Sequence, residues 1–340
     1  MAKNVAFFAD GTWEDPTGKS NVWLLYQAAE QTPGVQATTY DTGLGTDCSL
    51  IARWFGGAFG AGLFQKIKDG YAAVARSYEP GDRVFLFGYS RGAYTARCLG
   101  GMIAACGLPT RNHADPKCVD LAFEAYRNTL LRPMLLSALD EDYAMDHETG
   151  IEMIGVWDTV GSLGIPALIG RIDPVQYGFL DTSLSPKVRM AAQALAIDER
   201  RMQFPPTLWC AATASGQTLA QVWFTGTHGD VGGGYAPQAD GGSLEHITLR
   251  WMAAHARERG LLLKPGTIPA TETVVDALAD EHPTLTGLYR LTPHTRNIVS
   301  GSAVASSVAS RCATPQARYA PPNLHVTGGE LAEGYRVISV

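Results

Sequence analysis

A net positive charge is missing from this 340-residue sequence, in which Lys and Arg total 27 against 33 Asp and Glu for a formal charge of -6. Such a balance gives a polyanion no broad electrostatic footing, which argues against nucleic acid or an anionic membrane as the default partner. Cysteine is scarce and scattered. The six (Cys48, Cys98, Cys106, Cys118, Cys210, Cys312) form no C-x-x-C pair and stand near no histidine at zinc-finger spacing, so most are expected to be reduced, buried and apolar in behaviour. Long hydrophobic runs are absent too. The most apolar stretch, Leu50 to Phe64, is broken by Gly56, Gly57, Gly60 and Gly62, which excludes a spanning helix there. The apolar run in MAKNVAFFADGT is too short for a signal h-region, so the expectation is cytoplasmic synthesis without a cleaved Sec signal. No repeat, low-complexity tract or linker divides the chain. One domain over 1–340 is expected, with cap insertions near 48–64, 107–148 and 163–185.

What is present is a 46% hydrophobic composition, ample for a packed core, and an alternation of short apolar runs with longer amphipathic ones. Strands are expected at Val5 to Ala9, Val35 to Tyr40, Arg83 to Phe87, Ile151 to Trp157 and Gln221 to Phe224. Helices are expected at Val22 to Gln31 behind Asn21 as N-cap, from Phe64 to Tyr78, at Ala93 to Ala105, at Pro186 to Ile197 and at Leu244 to Arg259. Asp115 to Asp146 reads as a helical insertion between core strands, and the last eighty residues carry fewer patterns. Strands alternating with helices imply an α/β fold, a mostly parallel sheet with helices on both faces.

One stretch carries chemistry on its face. VFLFGYSRGAYTAR, Val84 to Arg97, runs a buried strand into G-x-S-x-G and then into helix-compatible residues, the pattern of a sharp strand-to-helix turn that lifts one hydroxyl clear of the sheet. Ser90 needs a base to take its proton and a carboxylate to orient that base. Asp158 ends the buried strand IGVW, and His228 follows the strand QVWF after a three-residue turn. Both stand downstream in the order serine, acid, histidine. The plainer alternatives are Asp158 as a cap, and His228 as a histidine satisfied by its glycine-rich turn. His246 and His255 compete for the base, His246 with no aspartate assigned to it and His255 within a helix. For an oxyanion, the N–H of Arg91 is one donor by geometry, and the Gly11-Thr12 turn is the candidate for the second. Asp10 is open to three roles, tethering that loop, tethering a helix N-terminus or binding a cation. TGKS, Thr17 to Ser20, lacks the glycine of a phosphate-binding loop where Trp13 stands, and Gly232 to Gly234 open no dinucleotide fingerprint. Asp198 to Arg201 reads as a structural ion-pair cluster.

Taken in order, FADGTW, DTGLGT, FGYSRGAYTAR, GVWDTVGSLG, AIDERRMQF and WFTGTHGDVGGGY resemble the bacterial and fungal family of uncharacterised α/β hydrolases that includes phospholipase effectors of type VI secretion systems. The resemblance covers about residues 4 to 260. It implies an α/β-hydrolase-like fold, an acyl-ester or lipid substrate, no cofactor, no metal, a secretion-system or immunity partner and export by a signal-independent route. It carries the catalytic serine, aspartate and histidine onto Ser90, Asp158 and His228. The apolar segments Leu50 to Phe64 and Leu163 to Ile169 are open to three roles, an acyl-pocket roof, transient membrane contact or ordinary core. Two rival functions are kept, a catalytically silent binding protein of the same fold and a metal-dependent phosphoesterase using Asp10, Asp230 and His228.

Overall fold

The structure is a computed structural model that describes residues 2–11, 19–42, 59–110, 115–160, 183–210, 214–236, 238–268 and 273–340. Among them, eight strands pair in parallel into one sheet: β1 Asn4–Ala9, β2 Gln36–Asp41, β3 Arg83–Tyr89, β4 Ile151–Trp157, β5 Met190–Ala196, β6 Thr218–Phe224, β7 Ala303–Ala305 and β8 Arg336–Ile338. Their spatial order is β8-β7-β6-β5-β4-β3-β1-β2. β1 and β4 are buried along their whole length, as strands covered on both faces must be, and their side chains alternate between two cores.

On one face, Ala6, Phe8, Phe85, Phe87 and Met153 pack under α1 (Asn21–Ala28) and α7 (Leu244–Glu258). On the other, Val5, Phe7, Val84, Leu86 and Ile154 pack under α2 (Phe59–Ser77) and α3 (Arg91–Cys106). Phe8 and Phe87 stack at 5.1 Å, and fully burying each such ring contributes about 1.5–3 kcal/mol. The layered α/β expectation therefore holds, with a sheet that is parallel throughout.

The insertion between β3 and β4 contains α4 (Pro116–Arg127) and α5 (Arg132–Tyr143). Asp115 caps α4 by accepting from the Cys118 N–H, and Pro116 opens it. The other two expected insertions, 48–64 and 163–185, lie largely outside the described residues. So do Cys48 and the apolar segment Leu163 to Ile169. After β6 come α6 (His228–Gly232), α7 and α8 (Val274–Leu278), and α9 (Ser306–Ala313) joins β7 to β8. The weakly patterned C-terminal stretch thus closes one edge of the sheet. Among the described residues Cys98, Cys106, Cys118 and Cys312 are buried thiols outside any disulfide, and Cys210 is exposed. Among the described residues no helix is long and apolar enough to cross a membrane.

Two expectations are corrected. The helix expected at Pro186 to Ile197 is strand β5, MAAQALA, wholly buried between β4 and β6. Its alanines favour helix intrinsically, but a short run with no exposed polar face suits a two-sided buried strand, and ladder pairing on both sides overrides propensity. The N-cap of α1 is Ser20, whose hydroxyl accepts from the Trp23 N–H. Asn21 instead buries its amide against the Val231 and Glu245 carbonyls.

Candidate active site

β3 ends in Tyr89 and the chain turns at once into α3 through Ser90, whose φ of 58° and ψ of -119° lie where L-residues are strained. The flanking glycines make that turn possible. A Cβ on Gly88 would strike the Gly92 carbonyl and Ala93, and one on Gly92 would strike the carbonyls of Ala9 and Asp10 at the end of β1. The elbow is thereby pressed against the neighbouring strand and helix with only backbone between them. The Ser90 N–H donates to the Trp157 carbonyl at 3.0 Å, and Arg91 opens α3, so its N–H is one of the outward-facing amides of a helix start.

Asp158 follows β4 directly, is fully buried and also takes a positive φ, 38°. Its N–H donates to the Ala194 carbonyl of β5, and its Oδ1 accepts from the Ala196 N–H at 3.0 Å. His228 opens α6 after a three-residue turn that follows β6. A capping box holds that helix start, with Thr227 N–H and Oγ1 both donating to Asp230 Oδ2 at 2.9 and 2.8 Å. Three strand ends far apart in sequence thus converge. His228 Nδ1 is 2.6 Å from Asp158 Oδ2, and His228 Nε2 is 2.8 Å from Ser90 Oγ. The ring sits between Tyr89, 4.8 Å away centroid to centroid, and the edge of Phe204 at 5.0 Å.

A residue that no sequence motif marked completes the group. Arg296 is 2% exposed and clamps Asp158 through both oxygens, Nη1 to Oδ1 at 2.6 Å and Nη2 to Oδ2 at 2.8 Å. The same two nitrogens donate to the Ala196 and Phe204 carbonyls at 2.8 Å each. Burial raises the Asp158 carboxyl, but the Arg296 charge and the bonds from His228 and Arg296 outweigh it and hold the group well below the usual carboxylate range. An ionised Asp158 can only accept, so the His228 proton is on Nδ1, and Nε2 is left to accept from the Ser90 hydroxyl. Burial lowers the His228 pKa, only partly offset by the Asp158 bond and charge and by Glu199.

Asp10 accepts from Gly11 N–H at 2.7 Å and from Ser20 Oγ and Tyr40 OH at 2.6 Å each, so it ties the β1 loop to the N-cap of α1 and to β2. Thr12 lies outside the described residues. Asp230 is engaged by its capping box and by His282, at 2.6 Å. Asp10 and Asp230 are thus turned toward partners other than His228, and among the described residues no three His, Cys, Asp or Glu side chains converge as a metal ion would require. The expectation that His246 has no aspartate is corrected, since Asp276 reaches its Nδ1 at 3.0 Å from α8. Glu199 and Arg201 form a bidentate pair at 2.8 and 2.9 Å, as read for a structural cluster, and Glu199 also accepts from the His228 backbone N–H at 3.2 Å.

Residues 3–255 match the family described as the catalytic domain of type VI secretion phospholipase effectors, Tle1-like. An uncharacterized protein of Saccharomyces cerevisiae, YEL023C, is 28% identical over 227 residues, 59% of this chain but 32% of its own length. A solved structure of an uncharacterized protein from Pseudomonas aeruginosa aligns with a TM-score of 0.45 at 17% identity, over 77% of this chain and 46% of that one. The Tle1 effector bound to the VgrG spike of the type VI secretion system aligns at 0.41 and 18%, over 70% of this chain and 52% of the effector. The chain therefore spans about a third of the yeast relative and about half of each solved chain. With a family match over most of its length, the chain belongs to the Tle1-like phospholipase effector catalytic-domain family.

Proposed function

We propose that the protein is a serine hydrolase of carboxylic acyl esters, with phospholipids or other lipids as its substrate class. The observation that carries this reading is the unbroken line Ser90 Oγ, His228 Nε2, His228 Nδ1, Asp158 Oδ2, mounted on a strained elbow at the carboxyl end of the sheet. Ser90 Oγ attacks the ester carbonyl while His228 Nε2 takes its proton, and the imidazolium then donates to the departing alcohol. Water, deprotonated by the same nitrogen, releases the acyl group from Ser90. Asp158 keeps the imidazole in the tautomer with Nδ1 protonated. The Arg91 N–H is the oxyanion donor on which the reading relies. A second donor from Gly11 requires its amide to leave Asp10 Oδ1, and Thr12 is the alternative within the same turn.

Family membership supports a lipid ester and a secretion-system component as the partners to test, and export from the cytoplasm without a cleaved signal is part of the same proposal. The deciding experiment is labelling with a fluorophosphonate probe beside a substrate panel of short p-nitrophenyl esters, triglycerides and phospholipids. Stoichiometric labelling that is lost in Ser90→Ala, with turnover of at least one ester class, is the expected result. A wild-type chain that neither labels nor turns over any ester is instead a binding protein of this fold.

A further inference from the structure

We propose that Arg296 is a positioning residue of the site, one that fixes the Asp158 carboxylate through both oxygens and offsets its charge at His228, so that the imidazole stays a neutral proton acceptor in mildly acidic solution. The inference rests on the hydrolase reading for its kinetic consequence, but its geometry stands without it. Arg296 donates to Asp158 and to the Ala196 and Phe204 carbonyls. It acts through Asp158.

A carboxylate held by one hydrogen bond can turn about its χ2, and here neither oxygen is at liberty to do so. Oδ1 accepts from Arg296 Nη1 and the Ala196 N–H, and Oδ2 from Arg296 Nη2 and His228 Nδ1. The guanidinium is itself pinned by two main-chain carbonyls, that of Ala196 at the end of β5 and that of Phe204 in the segment after it. Its planar fork suits this two-point grip in a way that an ammonium group does not.

Charge gives the second half. Among the described residues the ionic groups facing His228 are Asp158, Glu199 and Arg201, with Arg296 behind Asp158 and Asp230 on its own helix. Tyr89 and Ser90 are the neutral polar neighbours. Asp230 is turned to Thr227 and His282. Glu199 and Arg201 are joined bidentately and largely cancel at a distance. Whether the imidazole feels a net negative field therefore depends on Arg296 offsetting Asp158. An uncompensated buried carboxylate would raise the imidazole's affinity for a proton and silence it as a base at acidic pH.

The test is the pH dependence of fluorophosphonate labelling in wild type, Arg296→Gln and Arg296→Lys, with folding checked by circular dichroism. Removing the unit charge that stands behind Asp158, at an effective dielectric near 20, should move the half-maximal pH of the Gln variant upward by about one to two units. The Lys variant keeps the charge but not the fork. Its plateau rate should fall while its half-maximal pH remains near that of wild type. A Gln profile that superimposes on wild type after scaling would overturn the proposal. Should neither variant fold, nitrogen-15 titration of the histidines in wild type decides. His228 changing protonation below the ordinary imidazole value supports the proposal, and His228 titrating above it refutes it. A wild-type chain that never labels defeats the hydrolase reading, while nitrogen-15 titration of His228 compared between wild type and Arg296→Gln still reads the effect of Arg296.

Discussion

Replacing Ser90 by glycine should make the protein more stable than replacing it by alanine, the reverse of the usual order. At φ 58° and ψ -119° the serine backbone occupies a region that glycine enters freely, and a non-glycine residue there costs about 1–3 kcal/mol. Both substitutions remove the hydroxyl and its bond to His228, so that loss cancels in the comparison. Glycine brings a more flexible unfolded chain, a penalty of about 0.4–1 kcal/mol. The difference should therefore favour Ser90→Gly by about 0.5–2 kcal/mol. With an unfolding entropy of about 2.1 cal/mol/K per residue over 340 residues, that is a Tm higher by about 1–3 °C. Calorimetry on the two variants, both inert toward the probe, reads it directly. If Ser90→Ala melts higher by the ordinary margin, the backbone at this turn is not strained and the elbow argument fails.

Gly92→Ala should fail to fold or lose several kcal/mol, because its methyl meets the Ala9 and Asp10 carbonyls, whereas Gly150→Ala, with open space around it, should be near neutral; yield and Tm of the pair give the comparison. Asp158→Asn strands the Arg296 charge and should cost about 3–5 kcal/mol as well as abolishing labelling, measured by urea unfolding and probe incorporation. Acidification should lower stability through His228. As pH falls below the ordinary 6.5, the unfolded imidazole takes a proton that the folded one, with its lowered pKa, still refuses. The slope of Tm against pH should therefore be shallower in His228→Gln than in wild type across that window, and identical slopes would contradict the assignment.

Much of this was legible in the sequence, for identifiable reasons. VFLFGYSRG announces itself because the strand, both glycines and the helix are contiguous, and each glycine has one steric job. Asp158 and His228 could be found because each immediately follows or nearly follows an apolar strand, so a strand-end rule reaches them. Arg296 obeys no such rule. It arrives from an irregular segment and meets Asp158 138 residues away along the chain, and a buried arginine looks in sequence like any surface one. Asp276, the partner of His246, obeys no such rule either, since it stands 30 residues along the chain from it. β5 was misread because alanine's intrinsic preference is all that a lone sequence displays, whereas the ladders contributed by β4 and β6 decide the outcome.

The reach of Arg296 also bears on how the protein can be trimmed. The family match ends at residue 255, yet the counterion for Asp158 and the two strands that seal one sheet edge lie beyond it. A shortened version cut at that boundary would keep every residue of the hydrogen-bonded line and still leave a buried anion facing no cation. Any excised or grafted form must therefore carry the tail.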